Sequence, residues 1–320
     1  MNISETAKWL REHDNYLILT HRRPDGDAIG SAAGLARGLR AVGRTAYVLH
    51  NPEITPRYLP YIEDYWASDT FSPDNVVTVD TASRDLFPVN WGDRAEHVAL
   101  CIDHHPSNSG YAASSCVDSA RASCGEIVYE ILSQWPGAVD SETAAALYVA
   151  VSTDTGCFAF GNTTADTLLV ASELARAGAP IARINRALFR EKTRARAVLE
   201  GFIFSGLEFH FDGRAAISVI TGDMLARAGA TENDLDDIAA LPGSIEGVWV
   251  GVTVRELSAP DDCKVSVRSG KDVDSNALCA RFGGGGHAMA AGFTARARTD
   301  DVKAALIDAL GEVFSGKPRA

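Results

Sequence analysis

The chain has 320 residues, 46% hydrophobic and 22% charged, a composition that excludes wholesale disorder and a length that accommodates two domains. Acidic residues outnumber basic ones 42 to 30, for a formal charge of -12. That balance excludes a broad basic face able to displace counterions from duplex nucleic acid, and predicts small substrates or short single strands held at a local basic pocket. The six cysteines, Cys101, Cys116, Cys124, Cys157, Cys263 and Cys279, show no CxxC spacing and predict buried free thiols in a reducing compartment. Met1 to Trp9 lacks the apolar core of a signal peptide, and no apolar run of about 18 residues occurs, so a cytoplasmic protein without a membrane partner is expected.

In chain order, the first half alternates strand and helix candidates, the pattern of an α/β domain with a parallel sheet covered on both faces. Tyr16 to Thr20 is a strand, and a helix from about Ala28 to Val42 carries the stripe Ile29, Ala32, Ala33, Ala36 and Leu39. Thr45 to Leu49, Val76 to Val79 and Val98 to Ile102 are further strands, the last two separated by the turn-rich stretch Phe87 to Arg94. Helices follow at Ser123 to Gln134, at Glu142 to Val151 behind an Asp140 or Ser141 cap, and at Thr164 to Ala177, stopped by Gly178. The basic stretch Arg183 to Glu200 reads as a solvated connector helix. Beyond it, strands Leu207 to Phe211, Ala215 to Ile220, Val248 to Val254 and Lys264 to Arg268 alternate with helices Asp223 to Ala228, Asp234 to Ala240, Asn276 to Phe282 and Asp300 to Phe314. These predict a second, smaller α/β domain, giving boundaries of 1–182, 183–203 and 204–320 and a cleft between the two domains.

Four acidic clusters close apolar segments of the first half: His21, Asp25 and Asp27; Asp80; Asp103, His104 and His105; and Asp154. Imidazoles and carboxylates at the carboxyl edge of a parallel sheet predict a metal site of hard and borderline ligands. Each residue alone has a plainer reading, since Asp25 in Pro-Asp-Gly suits a turn and Asp27 or Asp80 suits a cap. That plainer reading must hold four times over. With Asp80 bridging, two divalent ions about 3.5–4 Å apart could activate water for in-line displacement at phosphorus. A second constellation, Gly283 to Gly286 with His287, exposes backbone N–H groups that could wrap an anion, and Arg268 and Ser269 supply a guanidinium and a hydroxyl of the kind that hold phosphate oxygens.

The string His21-x-x-Pro24-Asp25-Gly26-Asp27-Ala28-x-Gly30-Ser31, Asp80 in Val-Asp-Thr-Ala-Ser, Asp103-His104-His105 followed by Asn108, and Thr153-Asp154-Thr155-Gly156 resemble the four motifs of the DHH phosphoesterases. Arg268-Ser269 and Gly283 to His287 resemble the associated DHHA1 domain, and the nearest subgroup is the bifunctional oligoribonuclease and pAp phosphatase type. Phe158, Asn162, Thr163 and Thr164 are also similar to that subgroup.

The resemblance implies two manganese ions, one held by His21, Asp25 and Asp154, the other by Asp27 and His104, with Asp80 between them. It makes Asp103 an orienting carboxylate, puts His105 at the scissile phosphate, and assigns substrate contacts to Asn108, Arg268, Ser269, Gly284, Gly285, Gly286 and His287. The implied partners are short single-stranded RNA, dinucleotides and 3'-phosphoadenosine 5'-phosphate (pAp), with oligomeric state open to a homodimer. Rival readings are a phosphodiesterase acting on cyclic di-AMP or its linear products, a family II pyrophosphatase, a RecJ-like exonuclease and a nucleotide sensor. The glycine motif disfavours the pyrophosphatase, the length disfavours the RecJ-like exonuclease, and the intact ligand set disfavours the sensor.

Overall fold

The computed structural model describes residues 1–92, 97–235, 237–257, 261–270 and 272–315. The chain divides into two compact units, Met1–Glu191 and Lys192–Ala320. Among the described residues, no helix is long and apolar enough to cross a membrane.

The first unit contains α1 (Ile3–Glu12), β1 (Tyr16–Leu19), α2 (Gly26–Ala41), β2 (Ala46–Val48), β3 (Asn75–Val79), β4 (Val98–Asp103), β5 (Ser114–Val117), α3 (Cys124–Leu132), α4 (Ser141–Asp154), α5 (Ala165–Arg176) and α6 (Ile181–Asn185). Its sheet runs β2-β1-β3-β4-β5, with every pairing parallel. In this order the switch point lies between β1 and β3, where open α/β sheets bind ligands at their carboxyl ends. All four residues of β1 are buried, as expected of a central strand covered on both faces.

The main core gathers Ile18, Val77, Val79, Leu100 and Ile102 with Ile29, Leu35, Leu39, Ile127, Leu147 and Val151. A smaller cluster joins Leu17, Leu19, Val76 and Val98 to Phe87 and Trp91. The last two come from the stretch expected to be turns, of which residues 93 and 94 lie outside the described residues.

Helix α2 begins earlier than its apolar stripe suggests, because Asp25 caps it, accepting from the N–H groups of Asp27 and Ala28. It packs on α4 at very short range. A Cβ on Gly26 would fall 2.5 Å from Thr153 Cγ2, and one on Gly30 would fall 2.6 Å from Ala150 N and press on the Ala146 carbonyl. Helix α4 is capped by Asp140 and runs to Asp154 itself. Asp154 is therefore delivered by a helix terminus, where the other clusters follow strands or open α2, and the helix expected at Glu142 to Val151 runs three residues further than expected. In this unit α1 and β5 were not predicted, and in the second unit neither were the strands Gly285–His287 and Ala290–Arg296.

The expected connector helix is interrupted. α6 passes into a π turn at Arg186–Arg190, Glu191 is extended, and α7 (Arg194–Ser205) starts afresh on the Thr193 cap. Its basic side chains pair with acids, Arg186 with Glu191 at 2.6 Å, and Lys192 and Arg196 with Glu200 at 2.6 and 2.7 Å.

The second unit continues with β6 (Glu208–His210), β7 (Ala215–Ile220), α8 (Gly222–Ala228), β8 (Val250–Glu256), β9 (Asp262–Ser269), α9 (Ser275–Ala280), β10 (Gly285–His287), β11 (Ala290–Arg296) and α10 (Thr299–Phe314). Its sheet runs β10-β11-β9-β8-β7-β6, with only β7 and β8 parallel. The helix expected over Asp234 to Ala240 is replaced by two 3-10 turns, Glu232–Leu235 and Ile238–Ala240; residue 236 lies outside the described residues.

The close approach of α2 to α4 yields a contrast between two glycines. Gly30→Ala places a methyl against backbone atoms that cannot rotate away and should lower the unfolding midpoint by roughly 3–10 °C. Gly201→Ala, inside α7 with nothing within 4 Å of the added carbon, should raise it slightly through helix propensity. Calorimetric melts of both variants check the pair, and an unchanged midpoint for Gly30→Ala would refute the packing argument.

Candidate metal centre

His21 follows β1, Asp80 follows β3, Asp103 ends β4 with the two histidines behind it, and Asp25 and Asp27 open α2. The sheet and two helix ends thus bring all the sequence-predicted ligands of the first unit together. Their ligand atoms form overlapping groups, each within 4.8 Å: His21, Asp25 and Asp80; Asp27, His104 and Asp154; and Asp80, His104 and His105.

The imidazoles are preset. His21 Nδ1 lies 2.7 Å from the Arg22 carbonyl and His104 Nδ1 lies 3.2 Å from that of Arg121, so each Nδ1–H donates to backbone and each Nε2 lone pair is left for a cation, the usual arrangement behind a metal-bound histidine. His21 Nε2 is 3.8 Å from Asp25 and 3.7 Å from Asp80. His104 Nε2 is 3.7 Å from Asp27, 3.5 Å from Asp80 and 3.8 Å from Asp154. These separations are long for hydrogen bonds. They suit pairs of atoms each about 2.1 Å from a shared ion, which lie about 3–4 Å apart.

Asp80 has no other employment. Its side chain is 2% exposed, and its Oδ1 is buried with no hydrogen-bond partner. A buried carboxylate oxygen left bare is costly unless a charge meets it, so the residues fit a divalent cation. Its backbone has φ of 52°, a conformation that aspartate tolerates better than most residues.

Asp27, Asp25 and Asp103 are anchored. Asp27 accepts from Ser31 Oγ at 3.0 Å, Gly125 N at 3.0 Å and Cys124 N at 2.7 Å, the last two at the start of α3. Asp25 Oδ1 accepts both N–H groups of its helix cap and is also the oxygen that faces His21 Nε2. Asp103 is fully buried and accepts from His104 N at 2.8 Å, His105 Nδ1 at 2.8 Å and Asn108 Nδ2 at 2.6 Å.

Crowded negative charge shifts the titrations. Burial, then Asp154 and Asp25, hold Asp27 protonated well above the usual carboxylate range; burial, then Asp27 and Asp25, do the same at Asp80. Burial, followed by the charge of Asp25, pushes Asp154 up to about 7. The bond from Asp103 raises His105. Burial and the charge of His105 lower His104, favouring the neutral ring a metal requires.

Three expectations change. Asp154 groups with Asp27 and His104, not with His21 and Asp25, because α4 emerges beside α2. Asn108, expected at substrate, donates its amide to Asp103 and accepts from Gly110 N at 2.9 Å. In the second unit, the Ser269 hydroxyl is spent on Val273 O at 2.6 Å and Ser275 Oγ at 2.7 Å.

The glycine run is a hairpin, not an open loop. Gly284 N donates to Cys279 O and Gly286 N to Asn276 Oδ1, both at 3.0 Å. A Cβ on Gly286 would fall 2.6 Å from Ala290 O, and one on Gly284 would meet β11, so those glycines serve close strand packing. Gly285 and His287 stay exposed. Arg268, opposite Gly251 and Ala290 in the sheet, bonds only the Val267 carbonyl, at 3.1 Å, among the described residues.

Residues not singled out from sequence also build the centre. Asn51 fixes His21 through its carbonyl at 2.9 Å, and Arg121 O, Cys124 N and Gly125 N hold His104 and Asp27. Backbone contacts of this kind leave no residue-type signature.

The sequence matches the DHH family N-terminal domain over residues 15–151 and the DHHA1 domain over residues 212–316. It is 35% identical, over 87% of this chain and 83% of the other, to the bifunctional oligoribonuclease and PAP phosphatase NrnA of Thermus thermophilus. The chain belongs to the DHH phosphoesterase family. It is also 28% identical to the protein of the same description from Bacillus subtilis, over 90% of this chain and 92% of that one. The crystal structure of an exopolyphosphatase-related protein from Bacteroides fragilis shares the fold, with a TM-score of 0.86, 22% identity and coverage of 98% and 95% of the two chains.

The titrations give a pH prediction for chelated protein. Asp154 has an unfolded value of about 3.9 and a folded value of about 7. A carboxyl raised on folding stabilises the fold fully below the lower value, and that contribution is lost as pH climbs to the higher one. Asp27 and Asp80 act in the same sense, and so do His21 and His105 above their usual range. Melting in chelator should therefore fall between about pH 5 and 7.5, and added manganese should remove the slope. A flat profile in chelator would contradict the buried-charge account.

Proposed function

We propose that the chain hydrolyses short oligoribonucleotides and pAp to mononucleotides with two divalent ions, manganese in preference. The observation that carries this reading is the bare carboxylate of Asp80, whose two oxygens face His21 Nε2 on one side and His104 Nε2 on the other, at 3.7 and 3.5 Å. In our reading His21, Asp25 and Asp80 would hold one ion, and Asp27, Asp80, His104 and Asp154 the other. When bound, such a pair supplies Lewis acidity and a water of lowered pKa for in-line displacement at phosphorus.

The chain's own residues do the rest. Asp103, fixed by Asn108, holds His105 by Nδ1, so the ring keeps one orientation and presents its other nitrogen to a phosphoryl oxygen. Arg268, Gly285 and His287 are the remaining candidates to hold a second phosphate or a base. Residues 1–182 then form the catalytic domain, 183–203 the connector and 204–320 the substrate domain. All six thiols are free, in keeping with a reducing cytoplasm.

The deciding experiment is a manganese-supplemented screen of pAp, ribonucleotides of two to five residues, a 24-mer and cyclic di-AMP, read by product identity. Rates highest on the short substrates and pAp are expected. Preference for cyclic di-AMP would favour the phosphodiesterase reading, and equal rates on the 24-mer would sink length selection.

Two variants divide the machinery. Asp80→Asn, which suits the same backbone conformation, should lower turnover by roughly a thousandfold or more while the fold survives; near-normal activity would defeat the two-ion reading. Arg268→Ala should lower kcat/KM for pAp and dinucleotides by roughly one to two orders of magnitude, the size of a lost charge-assisted bond. Bis-p-nitrophenyl phosphate should suffer much less, and an equal loss on both substrates would remove Arg268 from substrate binding.

A further inference from the structure

After Asp154 the chain makes an unusual turn. Gly156, Cys157 and Phe158 have successive positive φ values of 55°, 56° and 67°, and for a bulky residue such a conformation persists only where its surroundings enforce it. The enforcing bonds are present: Cys157 N donates to Ser152 O at 2.7 Å, Phe160 N to Thr155 O at 3.0 Å, and Asn162 Nδ2 to the carbonyls of Asp154 at 3.1 Å and Ala122 at 3.2 Å.

The turn sends two phenylalanines to different fates. Phe158 packs near Tyr148, with ring centroids 6.0 Å apart, whereas Phe160 is 59% exposed. Among the described residues 1–191, no other Phe, Tyr or Trp is as exposed. The Phe160 ring rests on Gly156, where an added Cβ would fall 2.5 Å from Cε1 and Cζ. Only glycine leaves that seat open, so the turn lays one part of the ring on bare backbone and leaves the rest to solvent.

We propose that Phe160 is a stacking platform for the nucleobase of the nucleotide whose phosphate is held at the His21–Asp154 cluster. This inference rests on the nucleotide reading above and adds to it the group that recognises the base. The ring seat lies two residues beyond Asp154, and the Phe160 amide is bonded to the residue next to Asp154, so ring and cluster share one turn of chain. Stacking on a benzyl ring accepts every base, since each has a π face. It also needs no positive charge, which the acidic cluster and the chain's charge of -12 make scarce.

The test is binding to the full chain loaded with manganese, using 5'-AMP and ribose 5-phosphate, which share the phosphate and differ in the base. Titration calorimetry should find AMP tighter by about ten- to a hundredfold, in the range that base stacking supplies. Phe160→Ala should collapse that ratio toward one, and Phe160→Trp should keep or enlarge it. The proposal is overturned if AMP does not bind, if the wild type binds both ligands alike, or if Phe160→Ala retains the ratio. It is equally overturned if Phe160→Ala weakens both ligands in parallel with a lowered melting temperature, which marks a structural prop. An intact ratio with a shift to a smaller species in sedimentation would instead assign Phe160, with the exposed Leu168 and Leu169, to a contact between copies of the chain. Failure of the wild type to hydrolyse any oligoribonucleotide or pAp would sink the function reading alone, because the AMP to ribose 5-phosphate ratio is read without turnover.

Discussion

Mutual repulsion among buried carboxylates is the constraint around which the first unit is organised. Asp27, Asp80 and Asp103 are all but inaccessible to water, and two like charges about 4 Å apart cost about 4 kcal/mol even at an effective dielectric of 20. The protein relieves this unevenly. Asp103 is saturated by N–H donors, and Asp27 takes two from the start of α3 and a hydroxyl from Ser31. Asp80 receives nothing at Oδ1. The deficit is concentrated on one atom, 3.5 Å from both His104 Nε2 and His105 Nδ1, and the histidine tautomers and helix caps nearby leave it to a cation.

The backbone makes that concentration reachable. A parallel strand that simply continued would carry the residue after β3 away from β1, but the positive φ of Asp80 turns the chain at the switch point. Its N–H remains tied to Ile102 O at 2.9 Å, so the turn is made without losing contact with β4. Local strain of this sort costs on the order of 1–3 kcal/mol and survives only where the surroundings insist on it. Here they do, since Thr81 Oγ1 bonds back to Val79 O at 2.9 Å.

Much of this was legible in sequence for physical reasons. Short apolar runs each ending in an acid or histidine identify strand ends, and the spacing of His21, Asp25 and Asp27 confines those side chains to one loop and one helix start. What escaped was whatever depends on tertiary contact. Ala144 to Val151 is buried nearly all round, so its periodicity could not say which way Asp154 would face. β5 is short and half polar, and α1 is a charged amphipathic helix whose capping box at Asn2 and Glu5 went unused. The glycine run suggested an anion cradle because glycine exposes N–H groups, yet the carbonyl of Cys279 and the side chain of Asn276 had already claimed those of Gly284 and Gly286. Ser269 and Asn108 have partners within the protein that residue type did not announce: a polar side chain beside a motif serves the fold as readily as a ligand.

The contact of α2 with α4 has a consequence for the choice of ion. At Gly30 the spacing between the helices is set by backbone and Cβ atoms of Ala146 and Ala150, and at Gly26 by the Thr153 side chain, and Asp27 and Asp154 are carried on those same helices. Walls fixed in this way discriminate by ionic radius. An ion with oxygens at about 2.1 Å, the magnesium class, would ask less of that spacing than calcium, which at about 2.3–2.6 Å and with more ligands to satisfy would press on a contact that is backbone against backbone at Gly30.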